Sequence, residues 1–335
     1  MQRLGFNIYN RRYIGSKAKL VNWIFDNIKI EGINSVCDIF AGSGVIAEKF
    51  TTIPHINNIV LNDLLYSNQI IYSAFFLGQQ SDFNKLNELQ HFLNYDIPLK
   101  NNYFSDNFSN KFFSFNDCLK IGTIREYINT LQLSELDRNI LLASLIYSMD
   151  KIANTVGHYE AYRKSITPQD MFVFELIKPI QHNKNIQIYR TDANILAKTI
   201  KADLVFIDPP YNSRQYSRFY HIYENLIKWE KPKLYGVALK PAEENMSNYC
   251  RLNAPKFLAD LIENIDCKQI ILTYNNTYNS KSSSSQNKIN FDEIQQILNK
   301  KGKLKIIEKI HSYFNAGKTN FNDHKEFLFI VEVKQ

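Results

Sequence analysis

A chain of 335 residues, 44% hydrophobic and 22% charged, has ordinary globular composition and is long enough for one large domain carrying an insertion, or for two domains. The formal net charge of +7 favours a polyanionic partner, and 20 Tyr with 23 Phe exceed what packing alone requires and point to stacking surfaces. Cys37, Cys118, Cys250 and Cys267 form no C-x-x-C pair, which argues against a zinc ribbon or a disulfide framework. No signal peptide opens the chain and no run of about 18 apolar residues occurs, so a cytoplasmic protein without a membrane span is expected.

The first elements follow from apolar spacing. Leu20, Val21, Ile24, Phe25 and Ile28 recur at helical intervals over residues 17–28, and the apolar run at 35–40 reads as a buried strand. The turn A-G-S-G and the apolar helix VIAEKF come next, then a second strand at 58–62 that runs into Asp63. Helix, strand, glycine turn, helix and strand is how a doubly wound α/β sheet begins. From about 67 to 185 the strand signal fades into aromatic and Asn-rich stretches mixed with helices. One helix is clear over 135–152, where Ser134 and Asp137 make a capping pair.

Strand patterns resume at 186–190, 203–208, 270–275, 303–310 and 326–333, with helices at about 217–229, 254–265 and 291–300. One α/β domain built from residues 1–66 and 186–335, interrupted by an inserted domain at 67–185, follows from that order. No helical pattern separates the last two strands, which predicts an antiparallel pair. The Ser-rich cationic stretch at 275–288, with Lys281 and Lys288, reads as a mobile surface loop or as a segment that orders on DNA.

Two motifs carry chemistry. In D-I-F-A-G-S-G at 38–44, Gly42 and Gly44 let the backbone turn sharply and come close to a ligand. Asp63, 21 residues after Gly42, sits where a carboxylate can accept hydrogen bonds from ribose hydroxyls. An adenosine-containing cofactor is implied. Spacing alone leaves a dinucleotide open, because Ala47 is tolerated at the third glycine position. The second motif, Asp208-Pro209-Pro210-Tyr211, follows an apolar strand and therefore lies on the ligand side of such a sheet. The prolines stiffen the turn and present carbonyl acceptors, Asp208 adds a carboxylate, and Tyr211 adds an aromatic face. Adenine's amino group is a poor nucleophile while planar. Holding its N–H groups on Asp208 and a prolyl carbonyl frees the nitrogen lone pair for in-line attack on a methyl sulfonium, a reaction that needs positioning and electrostatics and no metal or catalytic Cys.

These motifs, in this order, resemble the alpha group of DNA adenine N6-methyltransferases, the Dam-like and FokI-type modification methylases. R-R-Y-I-G-S-K at 11–17 is similar to that group's N-terminal cofactor motif, F-A-G-S-G to its glycine motif and D-P-P-Y to its catalytic motif. The resemblance implies a Rossmann-like, mostly parallel sheet ending in an antiparallel pair, with a mainly helical target-recognition insertion. It implies S-adenosyl-L-methionine held by Tyr13, Lys17, Asp38, Phe40, Ala41, Gly42, Ser43, Gly44, Asp63 and Asp192, and double-stranded DNA as partner, with a cognate restriction endonuclease as a further one.

A duplex adenine must be flipped out before it can react, and Tyr211 is the expected stacking partner. Arg214, Tyr216, Arg218 and Tyr220 mix cations with aromatics beside it, and His158, Tyr159, Tyr162, Arg163 and Lys164 form a second such cluster; both read as DNA contacts, with a solvated helix start or helix end as the plain alternative. Methylation of RNA adenine or of cytosine N4, a non-catalytic DNA-binding subunit and an NAD-dependent oxidoreductase are the competing readings.

Overall fold

Seven strands form one sheet: β1 (Ser35–Asp38), β2 (Asn58–Asn62), β3 (Asn185–Tyr189), β4 (Leu204–Ile207), β5 (Gln269–Asn275), β6 (Gly302–Ile310) and β7 (Lys325–Val333), in the spatial order β3-β2-β1-β4-β5-β7-β6. The computed structural model describes residues 5–277, 286–310 and 324–334. The predicted loop at 275–288 therefore falls partly outside the described residues, as does Lys281. The first five strands are parallel, while β7 runs antiparallel to both β5 and β6. The antiparallel pair is as the sequence predicts. What the sequence order hides is that β7 inserts between β5 and β6.

Burial explains the strand patterns. Every residue of β4 and β5 is buried, as expected of strands at the centre of such a sheet. At the sheet edges, β3 and β6 alternate in exposure along most of their length, as half-covered strands do. Helices Ala254–Asn264 and Phe291–Lys301 pack Leu258, Leu261, Ile262, Ile294 and Leu298 into the core formed with Val205, Ile207, Ile270, Leu272 and Phe329. Gly302 passes directly from the last of these helices into β6, where a Cβ would come within 2.0 Å of the Glu332 carbonyl oxygen.

The chain divides into two compact units. The sheet unit comprises Lys17–Leu64, His182–Tyr216 and Asn245–Gln335; the helical unit comprises Met1–Ser16, Leu65–Gln181 and Ser217–Glu244. The helical unit thus takes in two segments beyond the insertion read from sequence. Its long helix spans Glu135–Ile152, with the Ser134 side chain accepting from the Asp137 backbone as expected. Another segment, 171–177, belongs to no strand, although Ile177 bridges to Phe6 at its end. Instead, Asp117, Asn94, Ser148, Gln90 and Ser144 on neighbouring helices accept its N–H groups, so a loop inside the fold leaves these donors satisfied.

The expected helix at 217–229 is two, Tyr216–Phe219 and His221–Lys228. The break falls at Tyr220, whose fully buried ring lies in a stack between Tyr13 and Tyr223, with centroids 5.0 and 5.4 Å away. Much of the aromatic excess has the same explanation: Tyr72, Tyr147, Tyr159, Tyr220 and Tyr223 are fully buried core side chains, not stacking surfaces. Among the described residues, no helix is long and apolar enough to cross a membrane.

Candidate active site

The parallel strands all end on one edge of the sheet, and the glycine turn is built there. After β1, Ala41 donates its backbone N–H to the Asn62 carbonyl (2.9 Å) and Gly44 donates to the Ala41 carbonyl (2.7 Å). Gly42 at φ +51° and Gly44 at φ +80° are in the left-handed region, where a side chain would be strained. Asp63, just beyond β2, accepts the Gly42 N–H at 3.1 Å. Behind it, buried Asn62 donates to the carbonyls of Ile39 and Thr191 and accepts the Thr191 N–H, tying the ends of three strands together. The turn and the acidic strand end are therefore one rigid object.

Asp38 occupies the last position of β1 and is 1% exposed, and neither carboxylate oxygen has a hydrogen-bond partner among the described residues. Burial first, and then the negative charges of Asp208 and Asp63, hold its carboxyl well above the usual carboxylate range; Lys17 pulls the other way. Phe40 stands edge-on to Tyr249 at 5.0 Å, and Ser43 is buried.

The second half of the site follows β4. Asp208 is held through one oxygen: Tyr211, Thr273 (2.7 Å) and Lys17 (2.8 Å) all donate to Oδ1, and among the described residues no donor bonds Oδ2. Lys17, itself 5% exposed, also donates to the Tyr211 hydroxyl at 2.8 Å. The Tyr211 ring packs on Tyr274 with centroids 4.4 Å apart and has the Lys17 ammonium 5.0 Å from its centroid. To stack on a base, the ring must leave these contacts. The Tyr211 carbonyl accepts from the Tyr274 hydroxyl (3.2 Å) and from the Lys288 backbone N–H (2.8 Å), which fixes the turn from the far side.

Thr273, Tyr274 and Glu326 were not singled out by sequence. Thr273 is a polar residue inside the apolar run of β5, and that was the available signal. Glu326 lies opposite Asn275 in the β5–β7 register; burial, with the neighbouring Asp208, raises its carboxyl to about 7 against the opposing pull of Lys17.

Other sequence-predicted residues lie as follows. Asp192 caps the short helix Ala193–Ala197 by accepting the Asn194 N–H at 2.8 Å. Tyr13 belongs to the helical unit, half-buried against Tyr220, with the Arg11 guanidinium 4.8 Å from its ring centroid. Arg163 and Lys164 are exposed, Tyr162 is half-buried against Phe112, and His158 stacks on Phe219 at 4.6 Å. Tyr159 does not fit a groove-reading role: it is 1% exposed and its hydroxyl donates to Asp150 at 3.1 Å. Arg218 and Tyr220 are likewise structural, since Arg218 donates to the Pro241 carbonyl and Tyr220 accepts the Ile14 N–H. Arg214 and Tyr216 remain half-exposed on the segment after the catalytic turn.

A mostly parallel seven-stranded sheet with an antiparallel strand second from its edge, carrying a glycine turn after β1, an acidic residue after β2 and D-P-P-Y after β4, defines a Rossmann-like methyltransferase. Residues 13–278 match the family described as D12 class N6 adenine-specific DNA methyltransferase, and the chain belongs to that family. Among its relatives is Type II methyltransferase M.NlaIII of Neisseria lactamica, 29% identical over 96% of this chain and 98% of that protein. Type II methyltransferase M.FokI of Planomicrobium okeanokoites is 28% identical over 96% of this chain and 52% of its own length, and modification methylase StsI of Streptococcus sanguinis is 31% identical over 79% and 44%.

Proposed function

We propose that this chain transfers a methyl group from S-adenosyl-L-methionine to N6 of an adenine flipped out of double-stranded DNA, at a specific site, as the modification enzyme of a restriction-modification system. The observation that carries the reading is the one-sided grip on Asp208. Three donors converge on Oδ1 and leave Oδ2 to accept an N–H from an exocyclic amine.

The residues at the strand ends fit the cofactor. A buried carboxyl with no hydrogen-bond partner among the described residues, Asp38, favours a cationic ligand that would let it ionise, and the methionine part of S-adenosylmethionine carries an ammonium and a sulfonium. Asp63 is placed to accept ribose hydroxyls, Gly42 and Gly44 give the backbone room to approach, and Phe40, Ala41, Ser43, Lys17 and Asp192 complete the proposed set. When bound, S-adenosylmethionine supplies an electrophilic methyl group. The protein's part is to hold the adenine amine. Asp208 and a carbonyl of Pro209 or Pro210 accept its two N–H bonds, which favours a pyramidal nitrogen with its lone pair free. Tyr211 is released from Lys17 and Asp208 to stack on the base, and Arg163, Lys164, Arg214 and Tyr216 contact the DNA.

The test is transfer of labelled methyl to unmethylated bacterial DNA, with RNA in parallel and nucleoside analysis of the product. Label in N6-methyladenine from DNA is expected. Label in RNA alone, or in N4-methylcytosine, would overturn the substrate assignment. Within the same assay Thr273→Val, which keeps the shape and removes one donor to Asp208, is expected to lower kcat about tenfold with KM for DNA unchanged, while Thr273→Ser retains activity. Equal activity of the valine variant would show that Lys17 suffices to hold Asp208.

A further inference from the structure

We infer that Arg251 and Lys288, together with Arg214, form a phosphate clamp that grips the DNA backbone beside the target nucleotide. Three connections inside the sheet unit bring these residues to the catalytic turn. The Lys288 backbone N–H donates to the Tyr211 carbonyl at 2.8 Å, so Lys288 is anchored to the residue proposed to receive the flipped base. The Arg214 carbonyl accepts a hydrogen bond from the Cys250 thiol at 3.4 Å, and Arg251 is the next residue along. Gln215 and Ser247 exchange two hydrogen bonds, at 3.0 and 2.7 Å, which pins the loop carrying Arg251 to the segment carrying Arg214.

Charge supports the same reading. Burial pushes the Cys250 thiol up to about 12, and the positive charges of Lys288 and Arg251 both oppose that rise. Lys17 beside them is matched by Asp208, whereas among the described residues Arg214, Arg251 and Lys288 have no carboxylate within ion-pair distance. Unpaired like charges gathered at one place repel, and an arriving anion relieves that repulsion. A nucleotide strand entering the catalytic turn brings phosphates on both sides of the target base, and it is the anion that the proposed reaction delivers. The clamp would hold the backbone in register while the base leaves the stack, without reading sequence.

The inference rests on the reading that this chain acts on DNA. The test is fluorescence anisotropy of a labelled duplex of mixed sequence against the full-length protein at increasing salt. Arg251→Ala combined with Lys288→Ala is expected to make the plot of log affinity against log salt shallower by about 1.8, roughly 0.9 per cation removed. The charge-preserving pair Arg251→Lys with Lys288→Arg should keep the wild-type slope, and calorimetric binding of S-adenosylmethionine should be the same in all three proteins. Parallel plots for wild type and the alanine pair would overturn the clamp and leave the function standing. A wild-type protein that binds cofactor but no duplex would overturn both.

Discussion

Asp208→Ala is expected to lower methyl transfer by about a thousandfold or more, the equivalent of roughly 4 kcal/mol of transition-state stabilisation. Two losses combine in that number. The first is the acceptor for the adenine amine, which in the proposed mechanism turns a planar, delocalised nitrogen into a nucleophile. The second is the anchor for Lys17, whose buried ammonium lies 2.8 Å from Oδ1 and loses its carboxylate. Asp208→Asn should lose nearly as much, because it removes the charge opposite Lys17 and, with the amide oxygen taken by the donors that hold Oδ1, presents an NH2 donor where the adenine amine needs an acceptor. Calorimetry with S-adenosylmethionine should find cofactor binding retained in the asparagine variant. An alanine variant that still turns over at the wild-type rate would remove Asp208 from the mechanism.

The sequence made some of this legible for a physical reason. β2 runs from Asn58 to Asn62 as expected, and β4, β5 and β7 begin or end within one residue of their predicted bounds, because short apolar runs bounded by polar residues have few other ways to fold. The D-P-P-Y turn was legible because its chemistry is local: four consecutive residues supply acceptor, rigidity and ring. The partners of that turn were not. Thr273 comes from β5 and Glu326 from β7, and they meet Asp208 only because β5 lies beside β4 and β7 inserts next to β5, a neighbour order that no periodicity encodes. Tyr159 shows the opposite error. Sequence composition counts aromatic rings but not their burial, and here Tyr159 and Tyr223 both donate to the buried carboxylate of Asp150, with Tyr220 packed behind them. That carboxylate, also bonded by the Arg12 N–H at 2.8 Å, turns polar aromatics into core residues.

Glu326→Gln is expected to stabilise the protein at pH 8 by up to about 3 kcal/mol and to change little near pH 4. The carboxyl is 7% exposed and Oε2 has no hydrogen-bond partner among the described residues. The groups that face it are Lys17, Asp208, Asn275 and His324, whose Nε2 is 4.0 Å from Oε1. Burial is the largest influence and raises the carboxyl from 4.5 to about 7, Lys17 lowers it, and Asp208 raises it further. Between these two values the folded state holds a proton that the unfolded chain has released. Stability from this group is therefore fully present below about 4.5 and is lost as pH rises through 7, at about 1.4 kcal/mol for each pH unit between the two values. A glutamine has the same shape and no charge to bury. Urea unfolding midpoints of the two proteins should coincide in acid and separate towards pH 8, with the glutamine variant the more stable. A constant gap across that range would show that the substitution acts through packing and not through ionisation. The same measurement bears on the site, because an ionised Glu326 adds a second negative charge for Lys17 to serve. If Lys17 is drawn away from Asp208 above pH 7, the glutamine variant should also hold its methyl-transfer rate to higher pH than the wild type.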